Sequence, residues 1–371
     1  MKYIIKKSDS TPAYLQLYLQ IRDDIVKGLY PFGDKLPSKR IIADETGIST
    51  ITVEHAYALL CDEGYIEARQ RSGYFVIFHT DDRFAASVDQ KAASVFPQNH
   101  DENNLYDFPF SVLAKTMRNV ISDYGEAILN RSPNLGCIEL RKAIKNYLAR
   151  SRGIIADCNQ IIIGSGSEYL YSLIVELLGR DKTYAIEYPS YKKIEQVYRA
   201  CDVVCEMLPL DNDGIVSSAL WRSKADILHI SPYRSYPSGV TANASKRHEY
   251  MRWATTRDRY IIEDDFESEF SVSKKSEETL FSHTSDDNVI YMNTFSMTVS
   301  PSFRTGYMVL PKQLAVSFQE ALSFYSCTVP TFMQLVLANL ITSGDFERHI
   351  NRVRRKKRKE LQAKESYKSD F

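Results

Sequence analysis

The feature that most constrains the fold is an alternation of short apolar runs with helical patterns from Leu105 onward. Ile161-Ile162-Ile163 is wholly β-branched, ends at a glycine and is followed by a helical pattern from Glu168 to Leu178. Further strands are predicted at Thr183 to Glu187, Asp226 to Ile230 and Tyr260 to Ile262. Short buried strands separated by helices are typical of parallel sheets with helices on both faces. The sequence therefore predicts an α/β domain with a mostly parallel sheet and with sites at the carboxyl ends of its strands.

The first 79 residues carry a different pattern, three helices followed by two short strands. Helices are predicted from Thr11 to Gly28, from Lys39 to Thr46 and from Ser49 to about Asp62. Serines before the second and third helices can cap them, and glycines follow all three. Strands are predicted from Tyr65 to Ala68 and from Tyr74 to Phe78. This order of elements predicts a winged helix-turn-helix, which is a DNA-binding architecture.

The third helix of such a domain enters the major groove with its N-terminal residues against the base edges. Those residues here are Ser49, Thr50 and Thr52, with His55 one turn further on. Hydroxyl groups can bond to any base edge or to phosphate, so they define no particular DNA sequence. The other candidate DNA-binding residues are Lys35, Ser38, Lys39, Arg40, Arg69, Arg71 and Gly73. Two have a plainer alternative, because His55 could pack or face solvent and Lys35 could be a solvated turn lysine.

Net charge gives no support for a DNA partner. Forty-seven basic residues balance 47 acidic ones, and residues 1–79 contain ten of each. A neutral helical module could equally be a protein-interaction domain, so the DNA prediction must depend on where the charges lie. The acids fall largely in the first helix and at the end of the third. We expect the wing, which is the pair of short strands with its connecting turn, to be purely basic. This placement favours DNA binding.

Residues 80–104 are polar, rich in Ala, Ser, Asp and Asn, and lack periodicity, which indicates a linker between domains. We expect a DNA-binding domain at 1–79, an α/β domain at 105–345 and a basic helix at 346–371. No apolar run approaches the ~18 residues of a membrane span, and the N-terminus is unlike a signal peptide. Six scattered cysteines form no CxxC pair, which indicates reduced thiols in a cytoplasmic protein and no metal site.

Several ordered motifs in the first domain resemble the GntR family of transcription regulators. They are Leu36-Pro37-Ser38-Lys39-Arg40, Ser49 with Thr52-Val53, Glu63-Gly64-Tyr65, and Ser72-Gly73 with Phe75-Val76. The resemblance implies a phosphate contact at the start of the second helix, where Lys35, Lys39 and Arg40 lie. Family members often carry arginine at the position of Thr50, so base recognition here would be weaker or different.

The stretch 291-YMNTFSMTVSPSFRTGYMVLP-311 resembles the cofactor-lysine loop of fold-type-I aminotransferases, which depend on pyridoxal phosphate (PLP). It is most similar to the version in the MocR-type branch of the GntR regulators. That resemblance implies a homodimer and a PLP site. Met297 stands at the lysine position, and a thioether cannot form a Schiff base. Covalent cofactor binding is therefore not expected, although PLP remains the cofactor that the family implies.

Other positions of the PLP site are implied by the same resemblance. Tyr191 matches the residue that stacks on the pyridine ring, and Asp264 matches the aspartate that pairs with its nitrogen. The phosphate-side candidates are Ser165, Gly166, Ser167, Ser296 and Arg304, of which the first three open a helix. Glu168 replaces a usual glutamine, and Phe266 replaces a tyrosine. Each retained residue has a structural alternative, since Asp264 could cap a turn, Tyr191 could be core and Arg304 could be an ordinary ion-paired arginine.

The C-terminal segment from Phe346 to about Ser366 is predicted to be one strongly basic helix. It could be the connecting helix that relatives have or a second DNA-contacting segment. Relatives continue into a small domain that supplies an arginine for the substrate carboxylate, so by resemblance that domain is expected to be truncated here. The predicted function is a DNA-binding transcription regulator with an aminotransferase-like dimerisation and effector domain. The alternatives are a working PLP-dependent transaminase fused to a DNA-binding domain, and a decayed relative in which only the winged helix works.

Overall fold

The computed structural model describes residues 3–6, 11–70, 72–79, 108–257, 259–266, 268–271, 279–283 and 288–369. The chain divides into two compact units, residues 1–99 and residues 100–371. The predicted linker at 80–104 and the wing residue Arg71 lie outside the described residues.

The first unit is a three-helix domain with a β-hairpin. Its elements are α1 (Ala13–Val26), α2 (Lys39–Thr46), α3 (Thr50–Asp62), β1 (Ile66–Arg69) and β2 (Gly73–Val76). The two strands pair antiparallel, with Ile66 opposite Val76. One apolar core joins all five elements and includes Leu17, Ile21, Ile42, Val53, Tyr57, Ile66 and Val76. The predicted winged helix-turn-helix is confirmed.

Local capping explains where the second and third helices begin and end. The Ser38 hydroxyl accepts the backbone N–H of Ile41 at 3.4 Å, and the Ser49 hydroxyl accepts that of Thr52 at 3.1 Å. Gly47 ends α2 in the left-handed conformation, with φ of 68°, which a glycine adopts without steric cost. The observed bounds of α2 coincide with the predicted ones because the sequence carries a stop signal at each end.

The second unit alternates helices with strands. Its helices are α4 (Phe110–Tyr124), α5 (Ile138–Ser151), α6 (Ser167–Leu178), α7 (Lys192–Ala200), α8 (Ser217–Arg222), α9 (Ala244–Thr255), α10 (Leu280–His283), α11 (Lys312–Leu322), α12 (Thr331–Thr342) and α13 (Asp345–Ser369). Its strands are β3 (Ile161–Gly164), β4 (Thr183–Tyr188), β5 (Val204–Asp211), β6 (Gly214–Ile215), β7 (Ile227–Ile230), β8 (Tyr260–Asp264), β9 (Val289–Thr294) and β10 (Gly306–Val309).

The strands form one eight-stranded sheet in the order β3-β10-β9-β8-β7-β4-β5-β6. The central run from β9 to β5 is parallel throughout, while β10 is antiparallel to both of its neighbours and β6 is antiparallel to β5. The predicted mostly parallel sheet is confirmed. Its parallel strands bring their carboxyl ends to one edge, which is where ligand sites form in such sheets.

Apolar packing on both faces explains the run Ile161-Ile162-Ile163. Ile161 and Ile163 belong to a core shared with α5 and α12, and Ile162 belongs to a core shared with α6 and α11. Successive side chains of a strand point to opposite faces, so a strand covered on both sides needs an apolar residue at every position. In the described part of the chain, no helix is long and apolar enough to cross a membrane.

Candidate nucleic-acid interface and candidate ligand cavity

The N-terminal turn of α3 presents an exposed surface made of hydroxyl groups and one apolar residue. Ser49 and Thr50 are exposed, and Ile51 between them and Thr52 is 64% exposed. Ser49 Oγ lies 2.8 Å from Thr52 Oγ1 and also caps the helix, so its lone pairs are partly used within the protein. Thr50 and Ile51 are therefore the side chains of this turn most available to base edges. The sequence analysis did not name Ile51 as a DNA-binding candidate, because an isoleucine in a helical pattern is usually a core residue.

Two of the predicted cations are paired with acids of the same unit. Lys39 Nζ lies 2.9 Å from Glu54 Oε1, and that hydrogen bond is the main cause of the raised pKa of Lys39. Arg69 Nε lies 2.6 Å from Glu67 Oε1, and its guanidinium lies 4.4 Å from the centre of the Phe75 ring. The expectation of a purely basic wing is wrong, because Glu67 on β1 offsets Arg69. Both cations would have to exchange a carboxylate for a phosphate on binding DNA.

The remaining candidates are more open. Arg40 is exposed and has no ion-pair partner in the described part of the chain. Lys35 is exposed, and its Nζ lies 5.9 Å from the centre of the Phe75 ring, so it rests on the wing. Gly73 has a φ of +112°, a backbone conformation that favours glycine, and the end of the Lys35 side chain lies close to it. His55 is exposed and meets the edge of the Tyr14 ring at 6.1 Å between centroids.

A cavity of about 290 Å³ lies at the carboxyl ends of the parallel strands of the second unit. Its lining is Gly166, Ser167, Glu168, Tyr171, Glu187, Ser190, Tyr191, Lys193, Ile194, Ser231, Tyr236, Asp264, Phe266, Thr294, Ser296, Met297 and Arg304. The structure thus brings together all of the predicted cofactor-side residues except Ser165. The Ser165 backbone N–H instead donates to Thr328 Oγ1 at 3.2 Å.

Asp264, the last residue of β8, is held at the floor of the cavity by aromatic partners. Its Oδ2 accepts the Tyr171 hydroxyl at 2.5 Å and lies 3.4 Å from His229 Nε2. The other ring nitrogen, His229 Nδ1, lies 2.6 Å from the Tyr198 hydroxyl. Asp264 is only 3% exposed, and its Oδ1 has no hydrogen-bond partner among the described residues. A buried acceptor without a donor suits a ligand that brings one.

Glu187, in β4, is a second buried acid of the cavity. It is 4% exposed, and the Ser235 hydroxyl donates to its Oε2 at 2.6 Å. Burial, and to a lesser extent the charge of Asp264, raises the pKa of Glu187 to about 7. The sequence analysis missed this residue, although its place near the carboxyl end of a predicted parallel strand was a usable signal. Lys193, Tyr171 and Tyr236 were missed because helix positions and loops reach the cavity only through the fold.

Glu168 is a third acid of the cavity lining and lies in the first turn of α6. Its Oε2 lies 2.8 Å from Arg304 Nη2, and its Oε1 lies 2.9 Å from Lys193 Nζ. A Cβ built at Gly166 would lie 3.4 Å from Arg304 Nη2 and 3.6 Å from Glu168 Oε2, so this ion pair covers the turn before the helix. Burial raises the pKa of Glu168, but the hydrogen bonds from Lys193 and Arg304 outweigh it and the net shift is downward. Glu168 is therefore ionised at neutral pH.

Three structural alternatives from the sequence can now be answered. Arg304 is an ion-paired arginine, and it lines the cavity as well. Tyr191 is partly exposed and is not a core residue, and its ring lies 6.0 Å from that of Tyr236 at an angle of 79°. Asp264 is bonded through its side chain to Tyr171 and caps no turn. Phe266 and Met297 are partly buried in the lining, and neither carries a group that donates a strong hydrogen bond.

Comparison with known proteins identifies the first unit. Residues 13–76 match the family model described as "Bacterial regulatory proteins, gntR family". The uncharacterized HTH-type transcriptional regulator YdeL of Bacillus subtilis (strain 168) is 32% identical over 94% of this chain and 77% of its own length. The probable rhizopine catabolism regulatory protein MocR of Rhizobium meliloti is 26% identical over 95% of this chain and 76% of its own. The HTH-type pyridoxine biosynthesis transcriptional regulator PdxR of Corynebacterium glutamicum is 27% identical over 92% of this chain and 75% of its own length.

Comparison with solved structures identifies the fold of the second unit. An archaeal alanine:glyoxylate aminotransferase superposes with a TM-score of 0.60 and 21% identity over 65% of this chain and 62% of its own. A kynurenine aminotransferase of Pyrococcus horikoshii gives a TM-score of 0.60 and 25% identity over 67% of this chain and 64% of its own. This chain therefore spans less than two thirds of either enzyme. The likeness shows a fold-type-I aminotransferase architecture, as predicted.

Both halves of the chain thus have known counterparts, and the relatives that span them are named as transcription regulators. The chain belongs to the MocR-type branch of the GntR family of bacterial transcriptional regulators, in which a winged helix-turn-helix DNA-binding unit is joined to an aminotransferase-like α/β unit.

Proposed function

We propose that the α/β unit of this transcription regulator senses a small effector and does not catalyse transamination. One observation carries the proposal. A cavity of ligand size persists at the sheet edge, but the thioether of Met297 lies where the resemblance calls for the cofactor lysine. A cavity with buried acids is retained for binding, while the group that would perform covalent chemistry is replaced.

The cavity does not fit a covalently held PLP cofactor. Met297 offers no amine, and Phe266 cannot donate the hydrogen bond that a tyrosine would give to the ring hydroxyl. Glu168 neutralises the arginine that would bind the phosphate. Asp264 and Tyr191 keep the expected chemistry on the ring side of the cavity. These departures concern separate parts of the cofactor, which supports the loss of the covalent function rather than a single local change.

Lys193 is the one lysine in the cavity lining, and its surroundings make it a poor substitute. Its Nζ is bonded to Glu168 at 2.9 Å, and that bond raises the pKa of Lys193. Schiff-base formation and proton transfer both need a neutral amine, and a raised pKa keeps this one protonated. The ion pair therefore disfavours catalysis by the other available amine.

A homodimer is the proposed assembly, since the resemblance implies that two α/β units associate. Exposed apolar residues on one part of the second unit support it. Phe110 at the start of α4 is 78% exposed, and Ile121 in the same helix and Leu129 just beyond it are also exposed. Large exposed apolar side chains on one helix and on the turn that follows it indicate a protein contact surface. Two copies of the DNA-binding unit would then recognise repeated half-sites.

A paired measurement tests this function. The purified full chain, supplied with PLP, the twenty amino acids and 2-oxoglutarate, is expected to produce no glutamate above the protein-free control. An authentic aminotransferase serves as the positive control. Footprinting on DNA upstream of its own gene and of neighbouring genes is expected to show protected segments. Turnover above the control would establish the enzyme alternative instead, and absence of protection on DNA of every sequence at low salt would contradict the regulator.

A further inference from the structure

The charges that line the cavity are separated into two ends. At one end, Glu168 is bonded to Lys193 and Arg304, which are the two cations of the lining. At the other end, Asp264 and Glu187 have no lysine or arginine partner in the part of the chain that the structure describes. Both cations of the lining are thus bonded to one carboxylate, whereas Asp264 and Glu187 have no cationic side chain of lysine or arginine beside them among the described residues.

At the cation-bearing end, an ionised carboxylate already occupies the partners that a phosphate group would need. A phosphate monoester brings nearly two negative charges at neutral pH, and here it would lie beside the ionised Glu168. The N-terminus of α6 favours an anion through its dipole, but Glu168 in the first turn already supplies one. The Ser165 backbone N–H is also taken, by Thr328 Oγ1 at 3.2 Å. One of the donors that could bind a phosphate is therefore satisfied from within the chain.

The acidic end is suited to a cation. Asp264 Oδ1 is buried without a donor, and Glu187 is a second buried carboxyl of the same cavity. Two neighbouring carboxylates repel, and a protonated nitrogen beside them would relieve the repulsion and supply the missing donor. The side walls are aromatic, with Tyr191 and Tyr236 meeting edge to face at 6.0 Å. Aromatic walls favour a flat ring or a cation against their faces.

We propose that this cavity binds a small aromatic ligand that carries a protonated nitrogen and no phosphate group. The nitrogen donates to Asp264 Oδ1, the ring packs against Tyr191, and Glu168 excludes phosphate esters of the same ring. This selectivity rests on the effector-sensing function proposed above, and it reverses the preference that a PLP site would show. The ion pair of Glu168 with Arg304 is the element that sets it.

A matched pair of ligands tests the selectivity. Pyridoxine and pyridoxine 5′-phosphate share one ring and differ only in the phosphate, and neither has an aldehyde that could react with lysines. Calorimetric titration of the full chain at neutral pH is expected to give pyridoxine at least tenfold tighter binding than its phosphate ester. Equal binding, tighter binding of the ester, or binding of neither ligand would each overturn the proposal.

Two variants assign the selectivity to residues. Glu168→Gln frees the Arg304 guanidinium and is expected to raise the affinity for pyridoxine 5′-phosphate at least tenfold. Glu195→Gln is the control, because it removes the same charge from an α7 ion pair with Arg199, 2.6 Å apart and outside the lining. It should leave the ratio of the two affinities unchanged. A ratio that responds equally to both variants would contradict the role of Glu168.

Asp264→Asn tests the acidic end and is expected to weaken pyridoxine binding at least tenfold. Unchanged pyridoxine binding by Asp264→Asn would contradict the proposal. Misfolding cannot imitate the gain of phosphate binding by Glu168→Gln, so that variant decides the matter if Asp264→Asn is unstable. Turnover is measured on the same preparations. A chain that neither discriminates the ligands nor converts amino acids refutes only this inference, whereas conversion of amino acids refutes the proposed function.

Discussion

Glu168 Oε2 and Arg304 Nη2 lie 2.8 Å apart, although 136 positions separate the two residues in the chain. The fold brings them together because α6 begins where β3 ends, and β10, which follows Arg304 closely, pairs with β3. The arginine that the resemblance assigns to a cofactor phosphate thus has an internal carboxylate as its partner. Since the Arg304 side chain is more than half exposed, this pair adds little to stability, on the order of 0–1 kcal/mol. Its main effect is on which ligands the cavity can bind.

The DNA-binding surface can be tested by the salt dependence of binding. Arg40→Ala removes an exposed cation at the start of α2 that has no ion-pair partner in the described residues. We expect weaker binding to every DNA sequence, and a slope of log K against log salt that is less steep by about 0.9 for each phosphate that is no longer neutralised. Arg71→Ala in the wing should act in the same direction. Fluorescence anisotropy at several salt concentrations measures both effects.

The control for that series is Arg22→Ala. Arg22 lies on α1 and pairs with Asp23 at 3.0 Å, so the same charge is removed from a position outside the predicted surface. Its slope should equal that of the unmodified protein. A slope for Arg40→Ala that also matches the unmodified protein would show that Arg40 binds no phosphate.

Two variants of Ser49 distinguish its role in helix capping from its role in DNA binding. Ser49→Ala removes the acceptor for the Thr52 N–H and should destabilise α3 by about 1 kcal/mol. Ser49→Asp keeps a good cap but places a negative charge at the surface that faces DNA. We expect faster amide hydrogen exchange in α3 for the alanine variant only, and at least tenfold weaker DNA binding for the aspartate variant. Retained DNA affinity in Ser49→Asp would place the start of α3 away from the phosphates.

Stability of the second unit should fall as the pH rises from about 5.5 to 8. Burial, followed by the charge of Asp265, raises the pKa of Glu263 to about 8, and burial also raises that of Glu269. The pKa of Glu187 is raised as well. A carboxyl whose folded pKa lies above its unfolded value binds more protons when folded, so its contribution is full below the unfolded pKa and is lost as the pH passes the folded one. For Glu263 the loss is at most about 3 kcal/mol over this window.

Thermal denaturation of the full chain at pH 5.5 and pH 8 measures this effect, with a lower Tm expected at pH 8. Glu263→Gln removes one titrating group and should flatten the dependence. The carboxyls with lowered pKa values, Glu168 among them, weaken the protein only below about their unfolded pKa, so they do not affect this window. His349 acts in the opposite direction below about pH 6.5, because burial lowers its pKa to about 4, and we expect the three buried acids together to outweigh it. A Tm that rises from pH 5.5 to 8 would contradict the assignment.

Local elements were predictable from the sequence where they carry their own signals. The bounds of α2 follow from Ser38 and Gly47, and the double-sided burial of Ile161 to Ile163 follows from their composition. The antiparallel placement of β10 between β3 and β9 was not predictable, because strand pairing across the chain depends on the whole sheet. Propensity and periodicity describe near neighbours only.

The charge pairing of both candidate sites was also beyond the sequence. Glu67 follows α3 by only a few residues, yet its bond to Arg69 depends on how the hairpin orients the two side chains. The Lys39–Glu54 pair depends on how α2 packs against α3. Motif resemblance placed Asp264 and Arg304 at one cavity, but it gave no information on which partners they have. The sequence therefore located the sites, and the structure supplied their electrostatics.

Reductive trapping tests the central claim most directly. The full chain is mixed with one equivalent of PLP, reduced with borohydride, and digested for peptide mass measurement. We expect no near-stoichiometric adduct on any peptide of the cavity, because Met297 offers no amine and Lys193 is held protonated by Glu168. One equivalent of cofactor reduced onto Lys193 or another cavity lysine would contradict the account, since the α/β unit would then hold its coenzyme covalently as an aminotransferase does.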